Sequence, residues 1–176
     1  KILFKIGYKK EHKIGKLPYS GDFARYEKVL SNNFTVSFDI LIKKVTDRMT
    51  NSEFSAEWVF ENSKIRTLKG KTITEALKTR IIDINALIAM KIISCRATDI
   101  RDVFMMFPNA KDKDWIKKEV ELRYDFQERL AKIIEKINSK QFKDGLSGVY
   151  GYFDQKVFEK HKKEILKKSG LVGREF

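Results

Sequence analysis

Asp39 is the first side chain in this sequence to which chemistry can be assigned. It sits in the alternating run Phe34 to Val45 (FTVSFDILIKKV), where Phe34, Val36, Phe38, Ile40 and Ile42 fall on one face of a strand and Asp39 on the other. A carboxylate so placed can hold a hard cation through oxygen, and phosphoryl-transfer sites use such groups to bind magnesium and to activate a hydroxyl. An aspartate on an exposed strand face also occurs with no function at all. A second constellation is Lys91, Arg96, Asp99, Arg101 and Asp102. Asp99 and Asp102 share a helix face, and Lys91 borders the stripe formed by Ile84, Leu87, Ile88 and Ile92. These residues suit a functional cluster, and they suit equally a set of intrahelical ion pairs and first-turn carboxylates with the lysine stem lying along an apolar edge.

Other chemistries find little support. The sequence has no phosphate-binding glycine motif, no paired-cysteine metal site and no nucleophile elbow. His12 and His161 are far apart and lie among lysines, so both read as surface side chains. The lone Cys95, next to Ile92, Ile93 and Ala97, reads as a partly apolar helical position, not an activated thiol, and it points to a reducing, cytoplasmic setting. No apolar run approaches the ~18 residues of a membrane span.

The elements that must position these groups follow from periodicity. Residues 1–16 read as a helix end, Gly7 and a short extended piece, and Leu17 to Gly21 as a loop. After the Asp39 strand, Glu53 to Glu61 fits a short helix, and Ile65 to Leu68 with Thr72 to Thr74 flanks a hairpin turn. The period becomes helical from Asp83, which can cap the first turn. Thr98 can cap a second helix ending at Pro108. A longer stretch runs from Asp114 to Ser139 with a possible break near Tyr124, Gly145 to Gly151 reads as a loop, and Asp154 can cap a last helix ending at Gly170. The expected architecture is α+β: a small mixed sheet with flanking helices over residues 1–82, then a helical bundle over 83–176. At 176 residues such a chain can bury a core without disulfide or metal.

Charge supplies a separate clue. There are 37 Lys and Arg against 24 Asp and Glu, a net charge of +13. The excess is concentrated in residues 1–20, with six lysines against Glu11, and 156–168, with six lysines against Glu159 and Glu164. Such a field attracts polyanions such as RNA, DNA or nucleotide phosphates. A lysine-rich surface also serves solubility or a hot habitat.

The order FTVSFDILI, VTDR, a Trp58-containing segment, a hairpin and IDINALIAMKIISCRATDIRDVFMM resembles the minimal nucleotidyltransferases of the DNA polymerase beta superfamily, in particular their abortive-infection toxin-like branch. The resemblance covers about residues 1–107. It implies a partial nucleotidyltransferase sheet and makes Asp39 the third metal carboxylate, holding magnesium and helping to deprotonate the acceptor. Lys91 and Arg96 would lie near phosphates, and either Asp99 or Asp102 would match the acidic position that follows. The implied reaction transfers a nucleotide from an NTP to a hydroxyl of RNA, tRNA among them, or of protein. The family's Gly-Ser turn and Asp-x-Asp pair do not occur before Asp39, so the chain is expected to be a fragment or a degenerate member, poorly active or inactive alone. The alternative is a non-catalytic basic nucleic-acid-binding or toxin-antitoxin partner module that keeps the fold.

Overall fold

A computed structural model describes residues 1–11, 13–14, 17–18, 22–70, 74–151 and 154–168. His12, most of the Leu17 to Gly21 loop, the Thr72 end of the hairpin and the tail from Gly170 lie outside the described residues. The chain is α+β and forms two compact units, one of residues 1–46 and 53–58, the other of 47–52 and 59–176. The hairpin preceding Asp83 therefore groups with the helices rather than with the sheet that carries Asp39.

In the first unit, helix α1 (Ile2–Lys5) is followed by strands β1 (Lys9–Glu11), β2 (Lys13–Ile14), β3 (Leu17–Pro18), β4 (Phe23–Val29) and β5 (Thr35–Leu41). Gly7, at φ +89°, makes the turn out of α1 in a region that only glycine enters readily. The main sheet has the order β1-β4-β5 and β2 pairs separately with β3. All pairings are antiparallel, which corrects the expected mixed sheet; β4 and β5 are joined by the short turn of residues 30–34, and so short a connection allows only antiparallel neighbours. Strand β4 lacks a clean apolar alternation, so periodicity does not reveal it. The signal for it is the Ser31-Asn32-Asn33 turn, where Asn33 takes φ +58° and the Asn32 side chain accepts the Phe34 amide. The expected long strand stops at Leu41 because Lys43 turns to φ +68°, and β6 (Lys44–Thr46) pairs instead with β7 (Glu53–Ser55). Phe38 and Tyr26 stand opposite each other in register and meet Tyr8 and Phe4 edge-on at 5.3 and 5.6 Å.

Helix α2 (Ala56–Glu61) leads to β8 (Ser63–Lys69) and β9 (Ala76–Ile82), an antiparallel hairpin. The helices of the second unit are α3 (Ile84–Ser94), α4 (Ala97–Met106), α5 (Lys113–Glu121), α6 (Phe126–Asn138), α7 (Lys140–Tyr150) and α8 (Gln155–Lys168), with a 3-10 turn at Phe107–Asn109. Asp83 caps α3 by accepting the Asn85 amide, as its position in the sequence leads one to expect. Helix α3 buries Ala86, Ile88, Ala89, Ile92 and Ile93 against α4, α5 and α6, so its apolar surface is wider than a single stripe. The helical stretch expected from Asp114 to Ser139 does break around Tyr124, into two helices each started by its own aspartate: Asp112 accepts the Trp115 amide and Asp125 the Glu128 amide. Around Phe104 the core closes with Phe142 at 5.2 Å and Phe158 at 5.1 Å.

The expected loop at Gly145 to Gly151 is the second half of α7. Phe142 and Leu146, four residues apart, are both buried, and their packing outweighs the poor helix propensity of Gly145 and Gly148. Only Gly151, at φ +82°, has backbone that demands glycine, and it ends the helix. A Cβ placed on Gly145 or Gly148 would meet nothing within 4 Å. Gly145→Ala and Gly148→Ala should therefore each stabilise the protein by about 0.5–1 kcal/mol, read as a higher urea midpoint at unchanged slope. A lower midpoint for either would mean that α7 is not continuous through these residues.

Candidate functional site

Each of the three candidate residues is engaged by a different partner: Asp39, in the first compact unit, by Arg25, and in the second unit Lys91 by Asp99 and Asp102 and Arg96 by Asp47. Asp39 stands opposite Arg25 in the β4–β5 register. Arg25 donates from Nε to Oδ1 at 2.6 Å and from Nη2 to Oδ2 at 2.7 Å, a two-pronged pair that uses both carboxylate oxygens. The hydrogen bond from Arg25 holds the Asp39 carboxyl below the usual range, with slight burial opposing and the guanidinium charge adding to it. Glu11 lies across from Arg25 on the other side, so the register sets an acid-base-acid row over three strands.

A seat for magnesium needs carboxylate oxygens free to ligate, and several of them. Both Asp39 oxygens face a guanidinium, and among the described residues no cluster of three or more His, Cys, Asp or Glu is placed to hold a metal. The residues present do not fit the ion.

Lys91 is the centre of the other constellation. It sits in the last turn of α3, and its Nζ lies 2.9 Å from Asp99 Oδ1 and 2.6 Å from Asp102 Oδ2, both on α4. The two registers left open by the sequence are thus both used by one ammonium. The outer oxygens are taken as well: Ser94 Oγ donates to Asp99 Oδ2 at 2.6 Å and the Tyr150 hydroxyl of α7 to Asp102 Oδ1 at 2.6 Å. Arg101 adds a second α4–α7 link by donating to the Gly145 carbonyl at 3.4 Å. Helix α4 has no side-chain cap: Arg96, which has only donors, stands at its N-cap, the expected cap Thr98 lies inside the first turn, and the buried first-turn Asp99 turns to Lys91. Burial disfavours the Lys91 charge, but the bonds to Asp102 and Asp99 outweigh it and raise the pKa. For Asp102 burial likewise disfavours charge, and the bonds from Lys91 and Tyr150 prevail and lower it. Burial and the Asp102 carboxylate raise the Tyr150 phenol.

Arg96 reaches away from this cluster. Its Nη2 lies 3.0 Å from Asp47 Oδ1, while Asp47 Oδ2 accepts the amides of Met49 and Thr50 and the Thr50 hydroxyl. The Arg96 side chain is 57% exposed and that of Asp47 only 7%, so the arginine is the part that solvent and ligands can reach. His161 is not a surface side chain: half-buried, it meets the Phe104 carbonyl through Nδ1 at 3.1 Å, near the end of α4. Cys95 ends α3 in left-handed backbone, and burial pushes its thiol pKa up, away from reactivity. Two clefts, of about 250 and 380 Å³, are lined in part by Glu61, Asp83 and Asp112 and by Lys132, Glu135 and Lys136. Neither is lined by Asp39, Lys91 or Arg96.

These geometries set two expectations. Asp39→Ala should change stability by less than about 1 kcal/mol in urea melts, because both partners are substantially exposed. Lys91→Met should cost about 2–3 kcal/mol, since it leaves buried Asp99 with an uncompensated charge. The Lys91 contribution is complete below the ordinary lysine value of 10.5 and is lost as pH rises through the raised folded value. The Asp102 contribution is complete above the ordinary 3.8 and is lost as pH falls through the lowered one. The stability gap between wild type and Lys91→Met should hence be widest and flat at neutral pH and close at both extremes; a gap independent of pH would remove the ion pair as its cause. No family model, no curated protein and no solved structure matches the chain in comparisons with known proteins.

Proposed function

We propose that this chain binds nucleic acid, acting as the basic, non-catalytic part of a nucleotidyltransferase-like system in the cytoplasm. The observation that supports it is the outer face of α8. Phe158 and Ile165 are buried, and Lys156, Lys160, Lys163 and Lys167 are exposed at i, i+4, i+7 and i+11 spacing. They form one stripe roughly 16 Å long. Among the described residues, Lys156, Lys160 and Lys163 have no carboxylate partner, and Lys167 pairs with Glu164 at 3.2 Å. Such a row can follow a phosphate backbone, releasing counterions as it binds.

The second reading, transfer of a nucleotide from an NTP with magnesium to an RNA or protein hydroxyl, keeps one point in its favour. The positions it assigns to the helical segment, Lys91 with Asp99 and Asp102, fall in one connected network. Against it stand the neutralisation of Lys91 by two carboxylates and the capture of Asp39 by Arg25. A lysine so held has little charge left for a phosphate. No helix among the described residues is long and apolar enough to cross a membrane.

Fluorescence anisotropy with labelled tRNA and duplex DNA tests the proposal. Binding should be measurable at ~50 mM salt and weaken steeply towards ~200 mM, and replacing the four α8 lysines by glutamine should flatten the log-log slope by up to about 3–4 on duplex. Absence of binding at ~50 mM salt would overturn the proposal. Label transferred from an α-labelled NTP to RNA or protein, and lost in Asp39→Ala, would instead establish the catalytic reading.

A further inference from the structure

The β8–β9 hairpin has a form that the helical unit does not require for its own packing. From Lys64 to Lys69 and from Ala76 to Lys78 every residue is exposed, so neither face of this part is covered by the described residues, although Lys64 at its root borders the cleft lined by Asp83 and Asp112. Its base is fixed. Arg80 donates to the Ser63 carbonyl at 2.8 Å and lies over the Phe60 ring at 5.6 Å, while the Asp83 amide donates to the Asn62 carbonyl at 2.7 Å. The result is a two-stranded arm with an anchored root. Seven residues per strand give it a reach of roughly 24 Å.

Its charge is arranged on both sides. The register places Lys64 and Arg66 on one face and Lys69 and Lys78 on the other. Among the described residues none of these four pairs with a carboxylate. A ribbon that lay on a flat partner would need charge on one face only. A ribbon set edgewise between two phosphate walls would need it on both. Near the turn, Leu68 and Leu77 are direct cross-strand neighbours and remain 47% and 63% exposed. An exposed apolar pair at the end of a cationic arm suits base edges and thymine methyl groups at a groove floor.

We propose that the β8–β9 ribbon is an arm that enters the major groove of B-form duplex DNA, with Lys64, Arg66, Lys69 and Lys78 facing the phosphates on either side. The inference rests on the nucleic-acid reading above and narrows it to a shape. The B-form major groove is about 12 Å wide and admits a two-stranded ribbon. The corresponding groove of duplex RNA is too narrow and deep for side chains to read. Single strands are gripped by stacking on aromatic rings, and the described part of the ribbon has none.

The test compares the full chain with two variants that lose the same four charges: Lys64→Gln/Arg66→Gln/Lys69→Gln/Lys78→Gln in the ribbon, and Lys156→Gln/Lys160→Gln/Lys163→Gln/Lys167→Gln in α8. Circular dichroism first establishes that each is folded. Affinities are then measured for duplex DNA of roughly 24 base pairs, duplex RNA and single-stranded DNA of the same length, and methylation protection of guanine N7 reports on the major groove. Wild type should prefer duplex DNA by about fivefold or more and protect N7. The ribbon variant should lose both the preference and the protection, while the α8 variant binds more weakly but keeps both. A ribbon variant that retains preference and protection, or a wild type that binds duplex RNA or single strands as tightly as duplex DNA, overturns the arm; a protein-binding ribbon would give that result. Failure of wild type to bind any nucleic acid at low salt overturns the broader reading together with the arm.

Discussion

The helical unit is organised around one part-buried ammonium group that is held between two carboxylates. Lys91 lies in the last turn of its helix, at the point where α3, α4 and α7 have side chains within reach of one another. A lone lysine there would carry a desolvation cost, and lone Asp99 would carry a larger one. Together with Ser94 and Tyr150 the cost is offset, because each carboxylate facing the lysine also has a second donor. The apolar contacts of Ile88, Ile92, Val103 and Phe104 are tolerant of sliding, whereas short polar contacts are not. The network thus fixes the rotational setting of α4 against α3, and through Tyr150 it fixes α7.

That constraint explains which parts of the fold are legible in the sequence. The start of α3 can be read because a cap is local: Asp83 needs only the amide two residues on. The break near Tyr124 can be suspected, and the capping aspartates Asp112 and Asp125 that define α5 and α6 are again local signals. Helix α7 cannot be read, because its glycines speak against a helix and the burial of Phe142 and Leu146 that overrides them is a property of the whole unit. The choice between Asp99 and Asp102 is open in sequence for a physical reason: both lie on the face of α4 that meets Lys91, and a lysine has three donors. Arg25 and Asp39 are 14 residues apart in sequence and meet only through the β4–β5 register, so no local pattern announces their pairing.

The charge of the chain is divided between cations that hold the fold and cations that do not. Lys91, Arg123 and Arg25 are committed to carboxylates at 2.6–2.9 Å. Lys156, Lys160 and Lys163 on α8, like the four cations of the β8–β9 ribbon, have no such commitment among the described residues. Counting lysines along the sequence does not separate these groups, because Lys91 and Lys160 look alike until their neighbours in space are known. Only the second group contributes a field that a polyanion can use, since a paired charge is largely cancelled beyond a Debye length of about 8–10 Å.

The same distinction decides how Asp39 is to be read. A catalytic carboxylate that binds a metal is held by donors that leave its lone pairs aimed at the ion, whereas one that serves a sheet is met head-on by a cation of matching geometry. Asp39 is of the second kind: a planar guanidinium presents two donors to two oxygens, directly across a ladder rung. To ligate a metal it would have to release Arg25, leaving that arginine without its two closest acceptors on the same sheet face as the incoming dication. Like charges at that separation repel, so the metal would have to supply both the replacement of the ion pair and the cost of the repulsion. Sites that bind magnesium tightly gather several acidic oxygens to meet such costs. With a single carboxylate on the strand and an arginine beside it, the balance lies with the cross-strand pair, and the polar face of β5 is read as a stabilising ladder.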